Sequence, residues 1–158
     1  AQYMGISHCT HFLGYVGDEE LKHLYKSVDA VCIPSLYEPF GIVALEGMAA
    51  QVPVVTSDVG GLKDFVEHME TGVTTYAGDA GSLAWGLLQV LRNPELSNYL
   101  RETAYDKVQH IYNWKVIARR TREVYQKVLR ESEIVASGLN NVVESEAVKT
   151  VAAKGKGR

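Results

Sequence analysis

Two glutamates eight residues apart, Glu38 and Glu46, bracket the segment Pro39-Phe40-Gly41-Ile42-Val43-Ala44-Leu45. From Ile42 to Ala50 the only charged side chain is Glu46, so the spacing predicts a helix from near Gly41 that is apolar nearly all round and buried on most sides. A buried carboxylate is costly unless paired or hydrogen-bonded. Glu46 therefore needs a partner, in the protein or in a ligand. The start of this helix is also open to chemistry, because Pro39, Phe40 and Gly41 lack the short polar side chains that usually accept from the first N–H groups. Free donors at the positive end of a helix dipole suit an anion, and Gly41 would let a phosphate approach the backbone closely. Glu46 follows five residues later, about 7.5 Å along the axis. That spacing suits a nucleotide diphosphate, with the carboxylate accepting from ribose hydroxyls. The alternative is a core Arg or Lys on Glu46 and water or loop groups on the helix end; residue chemistry leaves both open.

The apolar run 30–33 reads as a short buried strand, ended by Pro34 and Ser35, that feeds the loop carrying Glu38. Upstream, 12–17 reads as a strand ending at a Gly-flanked turn, and Asp18 caps a helix with Leu21, Leu24, Tyr25 and Val28 at helical spacing. Downstream, 53–57 is the next strand, Gly60-Gly61 turns into a short helix over 62–69, and 72–76 is a last short strand. This alternation predicts an α/β fold with a parallel sheet. Ligands bind beyond the carboxyl ends of such strands. One crevice is thus expected between Tyr15-Val16-Gly17, Glu38 to Gly41, and Gly60-Gly61.

The remainder reads as helical: Asp79 caps 80–91, Asn93-Pro94 breaks it, and 95–110 carries Leu96, Leu100, Ala104 and Val108 on one face. A long amphipathic helix runs from Trp114 to about Ser137, with Arg119, Arg120, Arg122, Lys127 and Arg130 as a solvated face or a domain contact. Residues 139–158 are small and polar and read as a disordered tail beyond a domain of residues 1–138.

The pattern Glu38-Pro39-Phe40-Gly41 with Glu46 closing a Glu-x7-Glu motif, the run from Ala49 to Gly61, and Thr71-Gly72 followed by Asp79 resemble the retaining glycosyltransferases of family 4, which have the two-domain GT-B fold. The resemblance covers about residues 12–130. It implies a Rossmann-like parallel sheet with flanking helices, the incomplete C-terminal half of a GT-B fold. It also implies retaining transfer of a hexose from a UDP- or ADP-sugar to an acceptor hydroxyl, with the nucleotide diphosphate sugar as substrate, no cofactor and no bound metal. By the same resemblance Glu38 lies near the donor sugar as the catalytic glutamate, the backbone N–H groups of Phe40, Gly41, Ile42 and Val43 face sugar and diphosphate, and Glu46 accepts from ribose. Tyr15 and Val16 flank the base. No nucleophile is demanded, since retention in this family is commonly explained by front-face attack assisted by the leaving group. Ser82-Leu83-Ala84-Trp85-Gly86 is similar to glycogen-synthase-like members, which points to a glucosyl donor.

The sequence departs from the family pattern at three positions: Gln51 where Gly is usual, Gly47 where Ala is common, and Asp64 in place of Glu. A Gln at positive φ costs about 1 kcal/mol, and a helical Gly costs about the same relative to Ala. The family's N-terminal acceptor domain, and its Gly-Arg segment with a following Lys that clamps the diphosphate, are not in this sequence. The expected partner is accordingly a missing acceptor domain, and the chain alone is expected to be inactive. The alternative is a noncatalytic module that binds nucleotide sugar, or a partner chain or its own copy, through an exposed sheet edge.

With 158 residues, 46% hydrophobic and 22% charged, and a formal net charge of -3, the chain suits one soluble domain. The absence of a basic excess argues against nucleic-acid binding, and no apolar run nears the roughly 20 residues of a transmembrane segment. Cys9 and Cys32 read as reduced core thiols of a cytoplasmic protein. His8, Cys9 and His11 lack any recognised metal-ligand spacing. No Gly-x-Gly-x-x-Gly follows a strand, which disfavours a dinucleotide-binding dehydrogenase.

Overall fold

The computed structural model describes the backbone of residues 1–154 and the side chains of residues 1–134. Three parallel strands, β1 (Val31–Ile33), β2 (Val54–Ser57) and β3 (Val73–Thr75), lie in that order, with Val31 opposite Val54 and Val55 opposite Val73. β2 is central and every one of its residues is buried, which is why its Val-Val-Thr-Ser sequence shows no polar alternation. Six α-helices are described: α1 (Asp18–Ser27), α2 (Ile42–Ala49), α3 (Leu62–Phe65), α4 (Ala80–Arg92), α5 (Pro94–Lys107) and α6 (Trp114–Lys154). Residues 1–112 and 113–158 form separate compact units, the second consisting of α6 and its lead-in.

Successive residues of a strand face opposite sides of a sheet, and the core of the first unit divides accordingly. Val54 and Ile33 pack with Ala44 and Met48 of α2, Leu62 and Phe65 of α3, and Ala104 and Val108. Val55 and Val73 pack with Val90 of α4 and Leu100 of α5. Gly47 lets α2 lie directly on the sheet: a Cβ there would stand 2.9 Å from Val54 Cγ1 and 3.4 Å from Val31 Cγ2. The side chain missing from the helix is thus space taken by the strands.

Several expectations are corrected. No strand forms over 12–17; Gly14 sits at φ 67, which breaks the extended run, and no described strand offers it a ladder. Asp18 opens α1 with Gly17 at the N-cap, so it serves the first turn as a charge and not as a side-chain cap. α3 stops after one turn, and Val108–Tyr112 forms a π-helical turn instead of continuing α5. Both cysteines are exposed. Cys32 lies on edge strand β1 opposite Val55, on the face of the Val90 and Leu100 cluster, and is exposed at that edge. α6 is longer than its apolar spacing suggests, and the tail expected over 139–158 falls on side chains outside the described residues. Asp79 does cap α4, accepting from the Ser82 N–H at 2.9 Å.

Candidate functional site

Everything around the two glutamates is set by how α2 begins. Its N-cap, Gly41, adopts φ 89 and ψ 33, a left-handed conformation that a side-chain-bearing residue reaches only with strain. The Glu38 carboxylate reaches forward and accepts from the Gly41 N–H at 3.1 Å, with the Ser35 hydroxyl at 3.4 Å from its other oxygen. A loop group therefore satisfies one of the orphan donors, three residues before the position where a cap is normally sought. The N–H groups of Ile42 and Val43 have no acceptor among the described residues.

The turn after β2 closes against this loop. The Gly61 N–H donates to the Glu38 carbonyl at 2.9 Å, and a Cβ on Gly60 would lie 1.9 Å from the same oxygen. Only glycine permits that approach. Phe40 stands edge-on to Phe65 at 5.4 Å, and Phe65 in turn to Tyr112 at 5.2 Å. The Tyr112 hydroxyl donates to the Asp64 carbonyl at 3.0 Å, which fixes the far end of that aromatic row. Glu38 to Gly41 and Gly60-Gly61 thus meet, as two sides of the expected crevice.

The third side has no such contact among the described residues. Tyr15 is 94% exposed and Val16 half-buried, and among the described residues no hydrogen bond or ring contact links either to the loop of Glu38. They lie in the irregular stretch that was expected to be a strand.

Glu46 corrects the reading of α2 as buried all round. Ala44, Gly47 and Met48 form its buried face, whereas Ile42 is 53% exposed, Val43 41% exposed, and Glu46 is exposed with them. A helix with an apolar surface on both sides looks alike in sequence whether one side or both are covered. The partner of Glu46 is neither Arg nor Lys. The Tyr25 hydroxyl of α1 donates to Glu46 Oε2 at 3.0 Å, and burial together with the Glu46 carboxylate pushes the Tyr25 phenol up to about 12. Tyr25 counted in the sequence only as an apolar position of α1; nothing in its spacing signals the bond across 21 residues. Between α1 and α2 a groove of about 520 Å³ is lined by Lys22, Tyr25, Lys26 and Glu46.

Gln51, which follows α2, takes φ 59, so the left-handed geometry expected there is present without glycine. Among the described residues no three or more His, Cys, Asp or Glu side chains gather as for a metal ion, and no helix is long and apolar enough to cross a membrane.

The family model for glycosyl transferases group 1 matches residues 1–107. Over 123 residues the chain is 46% identical to an uncharacterized glycosyltransferase of Methanocaldococcus jannaschii, a match covering 78% of this chain and 32% of that protein. It is 38% identical over 116 residues to the glycogen synthase of Mycobacterium tuberculosis, covering 73% of this chain and 28% of the synthase. Among solved structures, sucrose-phosphate synthase from Thermosynechococcus elongatus superposes with a TM-score of 0.76 at 33% identity, covering 82% of this chain and 32% of that one. Anabaena HepE in complex with UDP superposes with a TM-score of 0.74 at 25% identity, covering 80% and 34%. The chain spans about a third of the length of the curated relatives it matches. Its parallel sheet with flanking helices is that of GT-B glycosyltransferase domains, and the chain belongs to the glycosyl transferases group 1 family.

Proposed function

We propose that this chain forms the donor-binding domain of a retaining hexosyltransferase, taking the sugar from a UDP-sugar in preference to an ADP-sugar. The observation that carries the reading is the exposed face of α2: two unpartnered N–H groups, at Ile42 and Val43, with the Glu46 carboxylate one turn on along the same open side. In this reading the N–H groups take the diphosphate, Glu46 Oε1 accepts from ribose, and Glu38 stands beside the sugar at the helix tip. Donors fixed at the tip stabilise the charge that develops on the leaving diphosphate, and because they are already in place they cost no reorganisation during reaction. The UDP held by HepE favours a uridine nucleotide, and the glycogen synthase among the relatives favours a glucosyl unit.

Acceptor binding belongs in this proposal to an N-terminal acceptor domain, and the basic groups that clamp the diphosphate to a segment early in the donor-binding domain, both outside this sequence. The test is coexpression with the N-terminal part of the Methanocaldococcus relative, followed by incubation with UDP-glucose and oligosaccharide acceptors. The expected product carries a new α-linkage, read by NMR from the anomeric coupling, and forms only when both halves are present. A β-linked product, or transfer by the other half alone, would contradict the assignment.

A further inference from the structure

A second cleft, of about 690 Å³, opens beyond the ends of β2 and β3, lined by Asp58, His68, Tyr76, Asp79, Ser82 and Trp85 among others. It shares no residue with the site of Glu38 and Glu46. One wall is aromatic: the His68 ring stacks on the Trp85 indole with centroids 6.1 Å apart and planes 19° apart, and Trp85 is still 44% exposed. The Thr74 backbone N–H donates to His68 Nδ1 at 3.1 Å. The neutral ring is therefore assigned its proton at Nε2, where it can donate.

The polar groups are of both kinds. The Ser82 hydroxyl accepts from the Tyr76 N–H at 3.0 Å and keeps its own proton to give. Asp79 uses Oδ1 to cap α4, and its other oxygen receives no hydrogen bond from the described residues. Asp58 pairs with Lys63 at 3.4 Å, with both side chains about half exposed. No Lys or Arg lines the cleft.

With Asp79 unpaired by any cation, and Lys63 already paired to Asp58 and outside the lining, a phosphate-bearing ligand is disfavoured, and so many polar groups disfavour a hydrocarbon. A neutral sugar suits the set, because each hydroxyl both donates and accepts while the C–H face of the ring lies on an aromatic wall. A polyamine would meet the carboxylates but would face the Nε2–H and the Ser82 hydroxyl proton unfavourably. We propose that this cleft binds a neutral oligosaccharide, at a site separate from that of the nucleotide sugar and independent of what Glu46 binds.

The chain has two tryptophans, so Trp114→Phe leaves Trp85 as the only indole. In that background the emission of Trp85 is followed during titration with maltotriose, cellotriose and mannotriose, with spermidine and UDP as separate titrants. The expected result is a saturable shift with at least one trisaccharide, half-complete at about 1 mM, which becomes about tenfold weaker in both Asp58→Ala and His68→Ala. Calorimetric affinity for UDP stays the same in those two variants, which separates this site from the donor site. The proposal is overturned by no response to any of the three sugars, by a response confined to spermidine, or by a sugar response undiminished in both variants. The two variants sit on different loops, so a folding defect in one, seen by circular dichroism, leaves the other to decide.

Discussion

At the scale of single residues, the bond between Tyr25 and Glu46 is the feature that composition hides. A phenol held at about 12 must keep its proton for the bond to survive. Because its folded-state value lies above the ordinary value near 10, the stabilisation is complete below pH 10 and disappears as the pH rises through 12. Tyr25→Phe should therefore lower unfolding free energy by about 1 kcal/mol at neutral pH and flatten the loss of stability between pH 10 and 12. Denaturant titrations at several pH values measure both. Equal alkaline slopes for the two proteins would contradict the bond. Glu46 itself was legible in the sequence as the lone charge of its helix, whereas its exposure was not, since burial depends on what covers the face carrying Ile42 and Val43. Glu38 as the acceptor for Gly41 was equally hidden, because helix caps are sought next to the first turn and this one reaches forward from three residues upstream.

At the scale of elements, the strands at 54–57 and 73–75 and the helices α2, α4 and α5 were legible, because uninterrupted β-branched runs, capping residues and the Asn93-Pro94 break each act locally. The Asn93 side chain accepts from the Leu96 N–H at 3.1 Å just before Pro94 opens α5, as local chemistry dictates. The stretch 12–17 failed because a strand exists only with a ladder partner, and propensity cannot report whether one is present. Gly47 shows the same limit in reverse. Helix propensity alone favours Gly47→Ala by about 1 kcal/mol, but the new methyl would press on Val54 and Val31, stiff β-branched side chains packed between helix and sheet. Overpacking of this kind costs about 1–3 kcal/mol. Gly47→Ala is thus expected to lower the thermal midpoint, and a rise measured by calorimetric scanning would show that the strands yield. Gln51 at φ 59 holds strain of about 1 kcal/mol that glycine would release, although part of that gain is lost to the greater freedom of glycine in the unfolded chain.

For the molecule as a whole, the sheet places the loop after β1 and the turn after β2 at one edge, and α2 carries the open donors and the carboxylate away from it. Family membership was legible because Glu38, Phe40, Gly41 and Glu46, with Gly60-Gly61, keep both type and spacing. The resemblance held where residues touch one another within the chain, as Glu38 and Gly61 do. For Tyr15 and Val16 no such contact is described. That α2 presents a site for a nucleotide diphosphate is tested most directly by isothermal titration of the whole chain with UDP, ADP and GDP beside Glu46→Ala and Glu38→Ala. The predicted result is saturable binding of UDP at about 1 mM, or about -4 kcal/mol, weakened more by Glu46→Ala than by Glu38→Ala. Equal UDP affinity in the unaltered chain and in Glu46→Ala, or no binding of any of the three diphosphates, would contradict it.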